Sequence, residues 1–337
     1  MLCTLAPSKL QGSVLNQVCQ HGRKSLQRII LDTDPGIDDA LAFFLALASP
    51  DDIKLEAVTT VSGNVGVEET TPNALALLTL AGRTDIPVAR GCSLPLVREQ
   101  VKADYYHGHN GLGDVARPAT TMQVVAQHAA QLIIEKVMQA PGEITLVPIG
   151  PLTNIAMALR LEPRIAQNVR EVVIMGGALR VPGNTTPTAE FNIYADPHAA
   201  QIVFQAGWPI RLVSLDVTEI TCLRPQDFAE LTASGGPVKS FIRAMIDFHL
   251  RKPRPANEVP LFQMHDPLCL ATVFQPGLIT WQPVYADVEL NGTHTLGETV
   301  AYFKADEAPG APNIQAPVAV DSARFIKLFM ERVGKAF

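Results

Sequence analysis

Short apolar runs alternate along this chain with longer, helix-like stretches. Arg28-Ile29-Ile30-Leu31 is β-branched and apolar, as a buried strand requires. After a Pro35-Gly36 turn, Ala40–Ala48 (ALAFFLALA) reads as a buried helix, although an apolar run of this kind also fits a strand. Leu55–Val61 is a strand ending in Ser62-Gly63-Asn64, and Thr71–Ala81 is helical. Val124–Met138 reads as a long helix and Glu143–Ile149 as a strand, and Gly150-Pro151 opens a helix running through Leu161. Val169–Met175 is a strand leading into Gly176-Gly177; Asp196–Ala206 is a helix and Ile210–Val217 a further strand. Val284–Leu290, Thr299–Phe303 and Ala316–Val320 complete the strands before a closing helix through Val333. This βαβα order predicts an α/β fold: a single open, mostly parallel sheet with helices on both faces, a Rossmann-like core.

Two segments break the pattern. Ser93–Thr121 contains YYHGHNGLGD, and Arg251–Met264 is rich in Pro and polar residues. Long irregular segments in a compact domain are usually functional lids or disordered, so these are expected to form lid loops over the carboxyl edge of the sheet. No Pro- or Gly-rich linker divides the chain, which predicts one domain over 28–337. Residues 1–27 stand apart, with Lys9, Arg23 and Lys24 but no acid and no sustained periodicity. They read as a poorly ordered extension or a start codon placed too early, with an amphipathic targeting arm as a third reading; the continuous apolar stretch of a secretory signal is missing.

Bulk properties narrow the classes. With 337 residues, 47% apolar, the chain can bury a full α/β core. A net charge of −6 argues against a nucleic-acid-binding surface. The nine residues of Ala40–Ala48 are far short of a membrane span. Five scattered cysteines, never in CxxC spacing, suit a reducing compartment and hence a soluble cytoplasmic protein; Cys92, Cys222 and Cys269 read as packing residues.

Chemistry concentrates in Asp32-Thr33-Asp34-Pro35-Gly36-Ile37-Asp38-Asp39, four carboxylates in eight residues. Helix capping accounts for one or two of them, since the macrodipole favours acids in a first turn, but not for four. Crowded like charges need a cation or a hydroxylated ligand to offset their repulsion. In open α/β sheets ligands bind beyond the carboxyl ends of the strands. Asp34, Asn64, Ile149-Gly150 and Met175-Gly176-Gly177 all follow strands, and Asn184–Asn192 and His265-Asp266-Pro267 precede helices, so all are free to converge on one rim. The set is rich in oxygen and poor in thiol, which selects Ca²⁺ or Mg²⁺ over zinc. It lacks Lys, Arg and a GxxxxGK[ST] loop, which points to a neutral, polyhydroxylated ligand such as a sugar.

These elements together resemble the nucleoside hydrolases, calcium-dependent enzymes that split the N-glycosidic bond of nucleosides. The resemblance rests on DTDPGIDDA at Asp32–Ala40, TTVSGN at Thr59–Asn64, HGHNGL at His107–Leu112, PIGPLTNIA at Pro148–Ala156, VIMGG at Val173–Gly177, GNTTPTAEFN at Gly183–Asn192 and HDP at His265–Pro267. It implies that Asp34, Asp39, Asp266 and the carbonyl of Ile149, where the family often has Thr, hold Ca²⁺, with Asp34 also taking a proton from a metal-bound water. It further implies that Asp38 and Asn192 grip the 2′- and 3′-hydroxyls of ribose and that Asn184 and Glu190 take the 5′-hydroxyl. Asn64 orients the ribose and the metal shell, Met175 packs against the sugar, and Asp32 supports the site from behind.

His265 is the first choice for protonating the leaving base and His107 the second; the alternatives are a buttress for Asp266 and a surface-loop residue. Met175 is otherwise core filler, and His109, His128, His198, His249 and His294 carry no motif. Pyrimidine-preferring relatives tend to carry a Tyr shortly before the His-Asp pair. Here Phe262 is the only aromatic between Arg254 and Met264, favouring hydrolysis of both purine and pyrimidine ribonucleosides. Homo-oligomers, dimers or tetramers, are usual in the family, and nucleoside salvage is the implied context. The competing readings are a Mg²⁺-dependent phosphohydrolase of the haloacid-dehalogenase type, whose motif also begins Asp-x-Asp after a strand, and a sugar-binding module without turnover.

Overall fold

The structure, a computed structural model, describes residues 26–253, 255 and 259–337. Residues 1–25 of the expected extension lie outside the described residues. Gln27, its last residue, is instead the first of β1 (Gln27–Thr33) and pairs with Ile53. The remaining strands are β2 (Ile53–Thr60), β3 (Val88–Arg90), β4 (Ile144–Pro148), β5 (Glu171–Met175), β6 (Ile210–Val213), β7 (Cys222–Leu223), β8 (Phe262–Gln263), β9 (Ile279–Val288), β10 (Thr299–Tyr302) and β11 (Ile314–Val320). β7 and β8 form a small antiparallel pair; the other nine form one sheet in the order β10-β9-β11-β6-β5-β4-β1-β2-β3. Every pairing from β11 to β3 is parallel, and only β9 runs against its neighbours. The expected open, mostly parallel sheet is therefore present.

Alternation within the strands explains the layering. Successive strand residues face opposite sides. Ile29, Leu31, Val147, Ile149, Val173 and Met175 accordingly enter one apolar cluster, and Ile30, Ile144, Leu146, Val172 and Ile174 the other. The helices Ile37–Leu47, Pro237–Leu250, His265–Phe274 and Ser322–Ala336 cover the first face, and Ala129–Gln139, Thr153–Leu161 and Pro197–Phe204 the second. The ALAFFLALA run is thus a helix, buried along its length. Because the sheet grows from β1 toward β2 and β3 on one side and from β1 toward β4 on the other, the order in which strands are added reverses between β1 and β4 although the two run parallel. That switch point opens a crevice at the carboxyl ends of both strands.

Some expected elements are corrected. The strand read over Ile210–Val217 stops at Val213, and Leu215–Thr218 is a helical turn. Asp216 draws the chain out of the sheet by accepting from the backbone N–H groups of Leu179 and Arg180, each at 2.9 Å. The helix read from Val124 begins at Ala129; Val125 N donates instead to Val88 O, and His128 caps the helix. The helix read from Thr71 begins at Val67, with Pro72 inside it. The irregular Ser93–Thr121 segment holds a helical turn, Asp104–His107. The helices Pro225–Leu231 and Pro237–Leu250 have no counterpart among the expected elements; the first is short, whereas the second carries Val238, Phe241, Ile242, Met245 and Ile246 at helical spacing on its buried side. No described helix is long and apolar enough to cross a membrane.

One buried side chain fastens the switch point. Asn154 donates to Asp32 Oδ1 at 2.8 Å and to Thr60 O at 3.0 Å, and its own Oδ1 accepts from Cys92 N at 2.8 Å. Replacing Asn154 with Ala leaves these groups short of a partner. At about 1–3 kcal/mol for each buried group stranded, a loss of roughly 3 kcal/mol is expected. A lower urea midpoint at unchanged m-value is the expected result.

Candidate active site

The loop after β1 and the first turn of helix Ile37–Leu47 build the floor. Asp39 caps that helix: its Oδ2 accepts from Gly36 N at 2.8 Å, and its Oδ1 takes the Thr33 hydroxyl at 2.5 Å. The capping reading therefore holds for this one acid. Asp34 does something else. Its Oδ2 accepts from Asn64 N at 2.7 Å, while its buried Oδ1 has no partner. Gly63 and Gly150 flank that carboxylate so tightly that a Cβ on either would collide with it. Asn64 spans the motif, donating to Asp34 O at 3.2 Å and Asp39 Oδ2 at 3.1 Å. Asp32 lies behind, held by Thr59 at 2.5 Å and by Asn154, and burial pushes its pKa to about 7.

Asp266, in the first turn of helix His265–Phe274, closes the cluster. Oxygens of Asp38, Asp39 and Asp266 lie within 4.8 Å of one another, a closer trio than any that includes Asp34. Burial raises the pKa of all four acids, and their mutual repulsion adds to it for Asp34, Asp38 and Asp266; Asp38 reaches about 8. Carrying these groups as anions requires a positive charge among them. The open Oδ1 of Asp34, the acidic trio and an all-oxygen donor set fit a hard divalent cation, and the Ile149 carbonyl is at hand where Asn192 Nδ2 meets it at 3.0 Å.

A cavity of about 180 Å³ opens over this floor, lined by every expected site residue except Asp34 and Asp39, which lie beneath it. At one end Glu190 caps helix Phe191–Ala195, accepting from the N–H groups of Asn192 at 2.9 Å, Ile193 at 3.2 Å and Gly177 at 2.9 Å. Asn192 Nδ2 also reaches Met175 O at 3.3 Å, and Asn184 Oδ1 accepts from Phe191 N at 2.9 Å. Met175 is both core and lining: it is 3% exposed, yet it faces the cavity.

Histidines, tyrosines and two polar side chains form the opposite end. His107 is buried, which overturns its reading as a surface-loop residue. Its Nδ1 accepts from Ile37 N at 3.1 Å, so the neutral ring carries its proton on Nε2, and burial depresses its pKa to about 3. His265 Nδ1 meets Thr218 Oγ1 at 2.8 Å, and burial lowers its pKa to about 4. Both rings are neutral at pH 7. Tyr106 joins the two irregular segments. It stacks edge-on against His107 at 4.9 Å and His249 at 5.2 Å, and Lys252 bonds its carbonyl and sits 4.0 Å over its ring. Tyr105, Tyr106, Glu219 and Gln263 line the cavity without having been singled out from sequence. The tyrosines adjoin the His107 motif and Gln263 precedes His265 by two residues, so a signal existed for three; Glu219 had none. Phe262 packs behind the lining, 5.0 Å from His249.

The sequence and the fold have known counterparts. A family model described as inosine-uridine preferring nucleoside hydrolase matches residues 29–327. The chain is 42% identical over 313 residues to the inosine-uridine preferring nucleoside hydrolase of Leishmania major, covering 91% of this chain and 98% of that one. It is 44% identical over 273 residues to a pyrimidine-specific ribonucleoside hydrolase of Shewanella woodyi, covering 81% and 87%. The solved structure of a purine-preferring ribonucleoside hydrolase from Gardnerella vaginalis superposes with a TM-score of 0.86 at 33% identity, over 92% of this chain and 99% of that one.

Two expectations follow from the floor and the lid. Gly150→Ala, whose Cβ meets the Asp34 carboxylate, should weaken divalent-cation binding in equilibrium dialysis by roughly tenfold or more without loss of helical circular dichroism. His107 behaves oppositely to a group that gains a proton on folding. Its folded pKa lies below the ordinary 6.5, so its contribution to stability is intact above 6.5 and is lost as pH falls toward about 3. His107→Gln, whose side-chain oxygen can accept the same Ile37 N–H, should cut the loss of unfolding free energy between pH 7 and pH 5 by about 1–2 kcal/mol, read from urea titrations.

Proposed function

The chain belongs to the inosine-uridine preferring nucleoside hydrolase family, and from that premise we propose that it hydrolyses both purine and pyrimidine ribonucleosides with Ca²⁺ as its resident ion. The observation that carries this reading is the buried carboxylate floor, with one oxygen of Asp34 left open, beneath a cavity that has a polar end and an aromatic end. Asp34, Asp39, Asp266 and the Ile149 carbonyl hold the ion, which when bound offsets their charge and makes water in the site more acidic.

Asp34 accepts the proton of the attacking water. The water oxygen bonds to C1′ as the glycosidic bond breaks, and that electron pair leaves with the base. Asp38 and the Asn192 side-chain oxygen hold the 2′- and 3′-hydroxyls. Asn184 and Glu190 hold the 5′-hydroxyl; each Glu190 oxygen, though engaged by backbone, retains a lone pair. Positive charge develops on the sugar as the bond breaks, and anionic groups fixed beneath it stabilise the transition state more than the ground state. His265 Nδ1 lies 2.8 Å from the Thr218 hydroxyl. In the tautomer in which that hydroxyl donates, the neutral ring offers its Nε2–H to the departing base, and it is this hydrogen-bond-donor role that we assign to His265, with His107 assisting from the other lid.

The relatives' names span inosine-uridine, pyrimidine and purine preferences, so breadth is argued from the lining itself. Tyr105 and Tyr106 line the cavity, and aromatic side chains pack against either class of base. A uridine- and cytidine-preferring hydrolase of the same family is the second reading, and the Shewanella woodyi relative supports it. The described lining contains no Lys or Arg, which disfavours a phosphorylated substrate. The three described cysteines are free, which suits the cytoplasm and a role in nucleoside salvage. Family resemblance supports a homodimer or homotetramer.

Ribose release from inosine, adenosine, uridine and cytidine, with and without prolonged EDTA and with Ca²⁺ restored, tests the reading. All four should yield ribose, and exhaustive chelation should abolish it reversibly. Release from pyrimidines alone would remove the breadth, and release from none would remove the reading. Asp34→Ala should lower kcat by roughly 10³ or more, the range of a lost general base combined with a damaged ion site. Against uridine, 2′-deoxyuridine should lose roughly 10² or more in kcat/KM, since its absence of a 2′-hydroxyl leaves buried polar groups unpaired.

A further inference from the structure

The polar groups that face the ribose are braced by backbone or by neighbouring carboxylates, whereas one charged group at the far end has no such brace. Glu219 follows Thr218, whose hydroxyl holds the His265 ring, and it lines the cavity beside Tyr106 and Gln263. It is near enough to Tyr106 for its charge to help push that phenol's pKa up. Among the described residues nothing hydrogen-bonds or ion-pairs with its carboxylate, and partial desolvation is what raises its own pKa. An ionised carboxylate accepts and does not donate, so it matches an N–H edge and repels an anion. Gln263 complements it: its Oε1 faces the Tyr106 hydroxyl at 3.5 Å, which leaves its amide N–H groups for a carbonyl. An acceptor beside a donor matches the –C(=O)–NH– edge shared by hypoxanthine, guanine and uracil.

We propose that Glu219 is a specificity-determining residue that accepts the ring N–H of the base and excludes nucleosides whose base is anionic. The inference rests on the ribose-hydrolase reading above, because that reading places the base at this end. The test compares Glu219→Gln with wild type at pH 8 on inosine, 1-methylinosine and xanthosine, and on uridine and 3-methyluridine. The methylated nucleosides lack the ring N–H, and xanthosine is an anion at that pH. Wild type should favour inosine over xanthosine and each parent over its methylated form. The variant should lose inosine and uridine activity roughly fivefold in kcat/KM and gain on xanthosine roughly tenfold, because a like charge has been removed. Glu219→Asp, which keeps the charge, should retain the wild-type order.

Opposite signs for neutral and anionic substrates are the signature, since damage to the fold lowers all rates together. Equal changes across the panel, or indifference of the wild type to N-methylation, would overturn the assignment while ribose from inosine or uridine keeps the hydrolase reading. No ribose from either parent with wild type would overturn that reading and this inference together.

Discussion

Everything in this molecule answers to one constraint: four carboxylates are packed out of water at the switch point of a parallel sheet. Isolated, each would lose far more solvation on burial than its surroundings return. The fold handles them in two ways. Asp39 is satisfied locally, by the Thr33 hydroxyl, the Asn64 amide and the helix N-terminus, and Asp32 is held through its Oδ1 by Thr59 and Asn154, with its Oδ2 left without a partner. Asp34 keeps one buried oxygen open, and its charge adds to those of Asp38, Asp39 and Asp266, a cluster whose repulsion a cation would offset. Functional charge is thus held against its own repulsion by a shell of neutral donors.

That shell explains the local architecture. Glycine at 63 and 150 is required by the space Asp34 occupies, since a side chain at either position would enter its carboxylate. Asn154 ties the ends of β1 and β2 to the helix after β4, joining the strand end that precedes Asp34 to the helix that follows Ile149. Placing a charged cluster at strand ends rather than in mid-sheet keeps the ladder hydrogen bonds intact while giving the acids access to a cavity.

Legibility in the sequence follows the same division. Strand-end residues were readable because each motif directly follows an apolar strand, and the alternation of β1, β4 and β5 residues between the two apolar clusters then fixes where they emerge. The resemblance supplied the pairing of segments distant in sequence, such as Asp34 with Asp266, which periodicity alone leaves undetermined. The capping reading held for Asp39, where the local backbone decides, and did not extend to Asp34, where long-range contacts decide. Helix Pro237–Leu250 escaped notice although one side of it is buried, and Glu219 carried no motif because its position depends on Asp216 bending the chain out of the sheet. Local rules see the first kind of residue; only the folded chain reveals the second.

The two ends of the cavity differ in kind, and this bears on how such a site varies. Asn64, Met175 and Asn192 sit at strand termini or on a helix docked there, and their hydrogen bonds to the sheet rim leave little room for change. Tyr106, Glu219 and Gln263 come from segments joined mainly through one another, by the Tyr106 hub and its contacts with His249 and Lys252. Glu219 and Gln263 make no hydrogen bond to the carboxylate floor among the described residues, so the base-facing chemistry they supply is separable from the sugar-facing machinery. Relatives whose names range from purine-preferring to pyrimidine-specific fit one sheet and one acidic floor on these terms.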